Sequence, residues 1–362
     1  MKIIWFTGRL MSDMCSTTQI SLANGLIENG HSLIFVNPDE QGSHNHCEWE
    51  HFGLPIKALP GLKSIILSQK MSRWIKQYED LEESVAILDW RVASKLIPIL
   101  EMKRVPWILM DRSPPADGNF LSKLQWFFWK RSWKLLKSRP DRLGCVVSDE
   151  HRTYVVKHTG LNPNSTIIIT AGVDTELFIH SEKLETLQLS YHGRIDKNRG
   201  IMSLIDIFLI LKKDGIKAEL NLHGKGNIFD KIKKMNIKGL NLYEQSDAED
   251  IAKHLSKYDI GFLPMPDSEI WRLASPLKRS EYLASGMVVC GINHAGHRIK
   301  NSGDWIQLFD ENHFIPSTVD WIKNIKHHEL RKLQKEARDF AEKNYKWEKI
   351  VDELSQILSK QS

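Results

Sequence analysis

Residues 191–200 read YHGRIDKNRG and place three basic side chains, Arg194, Lys197 and Arg199, between Gly193 and Gly200. They follow an alternating apolar stretch, so they stand at the end of an expected β-strand. Backbone N–H groups at a helix N-terminus attract anions, and arginine adds a planar fork of donors that fits phosphate oxygens. Gly193 would let the backbone approach a diphosphate, with Arg194 at the strand end and Arg199-Gly200 entering the next helix. A hydrated basic loop is the other reading, and the turn alone leaves both open.

Two further stretches carry the same chemistry. LHGKG (222–226) is another Gly-x-Gly after a strand, with Gly224 and Gly226 one β-α-β unit beyond the first turn. ASPLKRSEYLASGMVVCG (274–291) opens a helix, where Ser275 suits the cap and Pro276 the first helical position. Lys278 and Glu281, spaced i, i+3, share a helix face near its start. They form a surface salt bridge, or else Lys278 meets a phosphate while Glu281 accepts hydrogen bonds from ribose hydroxyls. A buried carboxylate needs partners of that kind.

The elements that must position these residues alternate strand and helix. KIIWFTG reads as a first strand, and Ile20, Leu22, Ala23, Leu26 and Ile27 recur at helical spacing before Asn29-Gly30. A strand over 31–36 completes a β-α-β unit and implies a parallel sheet. Further strands are expected at 84–88, 105–110, 143–148 and 165–170. The second half repeats the pattern, with strands at 187–193, 218–226, 239–244, 260–265 and 287–292. Helices are expected at 201–215, 247–259 and 275–286, and one long amphipathic helix closes the chain over about 328–359. The polar segment 179–186 reads as a linker. The expected fold is α/β, with two Rossmann-like domains facing across a cleft, over 1–178 and 187–335, and a closing helix at about 340–360 that packs back on the first. Ligands of open α/β sheets bind beyond the carboxyl ends of the strands, where both glycine turns fall.

The 362 residues are 41% hydrophobic and carry a net charge of +5, enough chain for two cores and too little charge to imply nucleic acid. Cys15, Cys47, Cys145 and Cys290 are scattered singly, which suggests no disulfide framework or zinc knuckle and fits a reducing compartment. The N-terminus reads as a strand rather than a leader, and no apolar run is long enough to span a bilayer.

In this order the motifs resemble a known family. GRIDKNRG resembles the GR-x4-KG signature of GT-B glycosyltransferases of family 4, and PLKRSEYLASGMVV resembles their P-x-K-x-x-E-Y-x-A-x-G-x-P-V-V element. AGVDTELF (171–178), KYDIGFLPM and NYKWEKIVDEL resemble three further segments, so the match runs in order through nearly all of 165–355. The resemblance implies a GT-B fold and a retaining transferase that uses a nucleotide-diphosphate sugar with no obligatory metal or cofactor. It implies that Arg194 and Arg199, the latter in place of a lysine, hold the donor diphosphate, and that Glu281 binds the ribose. Gly193, Gly224, Gly226, Ser275, Pro276, Leu277 and Lys278 complete the implied donor set. Two positions depart from the family. Leu273 stands where a first glutamate is usual, with Glu269 the nearest acid, and Met287-Val288 replaces a proline element.

The first half resembles the family only in pattern. Gly8 and Arg9 follow the first strand, where Arg9 contacts substrate or is simply hydrated. Asp111 and Arg112 stand at a strand end; Asp111 would orient an acceptor hydroxyl or cap the next turn. Trp90, after another strand, is a candidate for stacking on a sugar. Residues 120–139 hold six basic side chains and Trp126, Trp129 and Trp133 at helical spacing. That segment fits an anionic membrane surface, or a core face with a hydrated basic side. The cluster HNHCEWEH (44–51) matches no common metal spacing. The expected partners are a nucleotide sugar and a sugar, lipid-linked or other hydroxyl acceptor, in the cytoplasm or on the inner face of the membrane, without nucleic acid. A catalytically silent GT-B scaffold and a GT-B sugar-nucleotide epimerase are the alternatives.

Overall fold

The computed structural model describes residues 1–12, 16–57, 62–115, 120–182, 184–244 and 247–361, leaving aside the side chains of 120–122. Cys15 and part of the loop around it lie outside the described residues. The chain divides into two compact units: Met1–Thr170 with Trp347–Ser362, and Ala171–Lys346.

The first unit is built on seven strands: β1 (Lys2–Phe6), β2 (Ser32–Asn37), β3 (Glu50–Gly53), β4 (Ser84–Asp89), β5 (Trp107–Met110), β6 (Gly144–Val146) and β7 (Thr166–Ile168). They pair in parallel in the order β3-β2-β1-β4-β5-β6-β7. Its helices are α1 (Thr17–Glu28), α2 (Lys63–Gln77), α3 (Trp90–Met102), α4 (Phe120–Lys137) and α5 (Asp149–Thr159). Successive strand residues point to opposite faces, so Ile4 and Phe6 enter a core with Leu67, Leu96 and Trp133, while Ile3 and Trp5 enter another with Leu22, Leu26 and Leu354. Burial on both faces explains why these strands are unbroken apolar runs.

The second unit has six strands: β8 (Leu187–His192), β9 (Ala218–His223), β10 (Leu240–Tyr243), β11 (Ile260–Leu263), β12 (Val288–Ile292) and β13 (Ile306–Phe309). Their order, β10-β9-β8-β11-β12-β13, is the doubly wound one, with its switch point between β8 and β11. The helices are α6 (Ile201–Lys213), α7 (Phe229–Lys234), α8 (Ala248–Leu255), α9 (Glu269–Arg272), α10 (Leu277–Ala284), α11 (Phe314–Asn324) and α12 (His327–Asn344), before the final α13 (Trp347–Gln361).

Three expectations change. The division falls after Thr170, not after residue 178, because AGVDTELF is tied to the second unit: Val173 N donates to Tyr345 O at 2.7 Å and Arg338 Nη2 to Thr175 O at 2.9 Å. The segment expected as a linker is held there too, by Ser181 Oγ donating to Ser256 O at 2.9 Å. The single closing helix is two, α12 and α13, because Lys346 leaves the helix to bridge Val173. α12 stays with the second unit, while α13 packs on α1 so closely that a Cβ on Gly25 would meet Val351 Cγ2 at 2.5 Å. The edge strands β3 and β13 were not expected, since neither is a fully buried apolar run. Among the described residues no helix is long and apolar enough to cross a membrane.

Candidate functional site

The motif residues of the second unit gather at the carboxyl edge of its sheet. β8 ends at His192 and the chain turns at Gly193, where φ is +122° and the N–H donates to His223 O at 2.9 Å. β9 ends at His223 and turns at Gly224, with φ of +137°. A Cβ on Gly224 would stand 1.9 Å from Gly193 O, and one on Gly226 would stand 2.2 Å from Ile195 O. The two turns therefore lie backbone against backbone. That packing by itself requires glycine at 224 and 226. At Gly193 the missing side chain makes room for Lys278, whose Nζ is 2.9 Å from the Cβ position.

The charges are arranged around one carboxylate. Arg194 Nε donates to Asp196 Oδ2 at 2.7 Å, and Arg199 Nε lies 3.9 Å from the same oxygen. Asn227 N donates to Asp196 Oδ1 at 2.9 Å. The Arg194 hydrogen bond first, and then the Asn227 N–H and both guanidinium charges, hold the Asp196 carboxyl below the usual carboxylate range against the cost of its burial. The Arg199 guanidinium lies 4.8 Å from the centre of the Trp271 ring, within cation–π range. Lys278 Nζ donates to Tyr191 OH at 3.2 Å and sits 4.3 Å from that ring's centre. Two guanidinium groups share the single Asp196 carboxylate, which leaves the turn positive. Lys197, at a variable position of the signature, is exposed. An open recess of about 580 Å³ is lined by Arg194, Asp196, Lys197, Asn198 and Asn227. Asp196 was overlooked as a site residue, although its place between the arginines at i−2 and i+3 was a usable signal.

At the head of α10 the cap is Pro276, not Ser275, and no side chain caps the helix. The first N–H groups of α10, from Leu277 and Lys278, are thus available to an anion, and the helix dipole favours one. One turn on, Glu281 is 9% exposed and its Oε2 is 2.9 Å from His192 Nε2. Lys278 and Glu281 thus turn to Tyr191 and His192 rather than to each other. Leu273 is buried, and Glu269 is exposed on α9. His223 stacks on Tyr243 at 4.3 Å, and burial, helped by the His254 and His192 rings, pushes it down to about 3, so it adds no charge here.

In the first unit the structure overturns three expected roles. Asp111 is fully buried, accepting from Trp129 Nε1 at 2.6 Å and Trp133 Nε1 at 3.0 Å on one oxygen and from Ser113 N at 3.1 Å on the other. His151 Nε2 lies 3.3 Å away. Burial pushes this carboxyl up, but the His151 ring and the indole N–H groups outweigh it and hold it below the usual range. No acceptor hydroxyl reaches Asp111; it caps the next turn through Ser113 N, the other of its two expected roles, and serves as the polar anchor of α4. Arg112 is committed as well: its Nη1 donates to Ile169 O at 2.6 Å, and burial, with Arg9 nearby, lowers its pKa to about 10. Trp90 is fully buried and donates to Ser113 O at 2.9 Å, so it cannot stack on a sugar. Trp129 and Trp133 are likewise core, not membrane-facing, and Trp126 packs edge-on against Trp129 at 5.3 Å. Gly8 sits against Arg91 Cδ, 3.3 Å from its Cβ position, and Arg9 remains partly exposed at the end of β1.

No known protein-family model matches the chain, and no curated protein matches it in sequence. Solved structures do match. A sucrose-phosphate synthase from Thermosynechococcus elongatus superposes with a TM-score of 0.78 at 15% identity, over 98% of each chain. A glycosyltransferase from Rickettsia africae gives 0.76 at 12% identity, over 99% of this chain and 97% of the other. HepE from Anabaena, solved with UDP, gives 0.73 at 13% identity, over 99% and 100%. The chain has the GT-B glycosyltransferase fold. Within this GT-B chain, Gly193, Arg194, Arg199, Gly224, Gly226, Lys278 and Glu281 converge on one edge of the second sheet. The candidates of the first unit mostly turn inward.

Proposed function

We propose that this chain is a retaining glycosyltransferase of the family 4 type that takes a nucleotide-diphosphate sugar on its second unit. The observation that carries the reading is the cationic turn: Arg194 and Arg199 meet at Asp196 and Lys278 packs on Gly193 at the uncapped start of α10, with Glu281 one turn further in. A diphosphate matches that charge, and a ribose hydroxyl matches a carboxylate held at the inner end. That HepE was solved with UDP and with UDP-glucose supports a nucleotide sugar as the ligand class.

In the proposed reaction the bond from the sugar's anomeric carbon to the diphosphate breaks, and the acceptor oxygen bonds to that carbon on the same face. The acceptor proton passes to a departing phosphate oxygen. Arg194, Arg199 and Lys278 carry the charge that develops on the leaving group, the term that preorganised donors stabilise most. Asp196 keeps both guanidinium groups in place before the donor arrives.

The test is thermal unfolding of the full chain across nucleoside diphosphates and nucleotide sugars. One nucleoside diphosphate, at about 100 times its Kd, should stabilise by about 2.7 kcal/mol, a shift of roughly 3–4 °C if the chain unfolds as one and about 7 °C if the second unit unfolds by itself. The shift should disappear in Arg194→Ala. If no nucleotide moves the transition, the donor reading is wrong. Release of free nucleoside diphosphate from the donor that binds then separates a transferase from a silent scaffold.

A peripheral membrane location rests on the outer face of α4. Lys130 and Lys134 are exposed beside Phe127, itself 54% exposed, at helical spacing. Such a face suits anionic headgroups around one inserted ring. Co-sedimentation with anionic liposomes should be lost in Lys130→Glu/Lys134→Glu, and unchanged binding in that variant would remove the membrane reading.

A further inference from the structure

A second cluster of chemistry-bearing side chains lies in the first unit, in the loop from β2 to β3. One ligand atom from each of His44, His46 and Cys47 lies within 4.8 Å of the others, and the same holds for Asp39, His44 and His51. The two triples share His44, and only the first includes a thiol, the softer ligand. Asp39 Oδ2 already accepts from Met11 N at 2.8 Å and Asn37 Nδ2 at 2.7 Å, and it lies 2.9 Å from His44 Nε2. His51 Nε2 is directed at Asn37 Oδ1, 2.7 Å away, while its buried Nδ1 has no hydrogen-bond partner among the described residues. Asp39 Oδ2 therefore takes three donors and fixes the His44 imidazole from behind. With the Nε2–H of His44 on Asp39, its Nδ1 carries a free lone pair, the form of histidine that a metal binds. A carboxylate behind a ligating imidazole is the usual way such rings are oriented.

We propose that His44, His46 and Cys47 form a zinc-class metal site, with Asp39 positioning His44. One thiolate with two imidazoles is a borderline-soft set that selects Zn²⁺ over Mg²⁺ or Ca²⁺. Zinc with sulfur at about 2.3 Å and nitrogen at about 2.0 Å sets its ligand atoms roughly 3.3–3.6 Å apart. Closing from 4.8 Å needs about 1 Å of side-chain rotation, which the exposed His46 and half-buried Cys47 can supply. Three protein ligands leave the fourth position to solvent. The spacing H-x-H-C is tighter than that of common zinc motifs. The structure brings the groups together because the loop folds back on itself in successive turns, with Ser43 N donating to Glu40 O at 3.2 Å and Cys47 N to His44 O at 3.0 Å. The site is separate from the donor turn and does not depend on the transferase reading. Through Asp39 to Met11 N, and Asn37 Nδ2 to Arg9 O at 3.4 Å, it braces the turn after β1.

The test is metal titration of the chelator-stripped full-length chain, with Zn²⁺ in competition with a chromophoric chelator and Co²⁺ as a spectroscopic probe. One equivalent should bind, with a thiolate-to-Co²⁺ charge-transfer band that is absent in Cys47→Ser. His46→Ala, at an exposed position that should leave the fold intact, should weaken Zn²⁺ at least tenfold. Asp39→Asn should weaken it about 10- to 100-fold. The absence of saturable uptake, or a Cys47→Ser chain that binds Zn²⁺ as tightly as the parent, overturns the proposal.

Discussion

Lys278→Ala is expected to lower donor turnover by about 10²–10³-fold, the cost of removing one preorganised donor from a developing oxyanion. Among the three cations it is the one packed against Gly193 itself. Its Nζ is fixed by Tyr191 OH at 3.2 Å and lies over the Tyr191 ring, in the space that Gly193 leaves open. An ammonium already positioned before the donor arrives needs no reorganisation during the reaction. Arg194 is different. Its side chain is 61% exposed, so solvent and salt screen it, and Arg194→Ala should act more on nucleotide binding than on the rate constant. Lys278→Arg should not restore activity, because a planar fork does not fit the narrow space beside Gly193. The measurement is the initial rate of nucleoside diphosphate release, resolved into kcat and KM. A Lys278→Ala chain within threefold of the parent would show that the charge at this position does not act on the leaving group.

Asp111→Ala should destabilise the first unit by about 3–5 kcal/mol, as expected when one partner of a buried charged network is removed. The substitution leaves two indole N–H groups and the Ser113 N–H without their acceptor in a fully buried place. Each stranded donor costs about 1–3 kcal/mol, and relaxation of α4 recovers part of the sum. His151 loses its facing carboxylate as well, while its Nδ1 still accepts from Val147 N at 3.4 Å. Urea unfolding followed by far-UV circular dichroism reads the effect, because the twelve tryptophans spread over both units make fluorescence a mixed signal. Nucleotide affinity at the second unit should be unchanged in whatever fraction stays folded. A destabilisation below about 1 kcal/mol together with lost turnover would return Asp111 to the role of a catalytic group.

How far the residues could be read in advance depended on the range of the interactions involved. Strand and helix positions in both units followed from periodicity, because strands buried on both faces must be unbroken apolar runs and helices need an apolar stripe. The short edge strands β3 and β13 escaped, since they are only partly buried. The cluster of Gly193, Arg194 and Arg199 with Lys278 and Glu281 was visible because the first three lie within one turn and the last two within one helix.

What lay beyond local reading was whatever distant elements decide. Asp111 looked like a strand-end acid facing substrate, and only the arrival of α4, 18 and 22 residues later, closes it under two indoles. Trp90 is withdrawn in the same way, while the basic helix keeps its lysines outside and turns Trp129 and Trp133 inward. The break between α12 and α13 depends on Val173, far away in sequence. The sequence by itself determined the alternating α/β order, the two parallel sheets and the cationic turn, because these rest on the period of apolar residues and on neighbours a few positions apart. The tertiary structure alone decided that Gly224 and Gly226 serve the packing of two turns and that Asp196 sits between the arginines. It also decided that Asp39 and three histidines meet around one loop, since burial and partner choice belong to whatever folds on top of a residue.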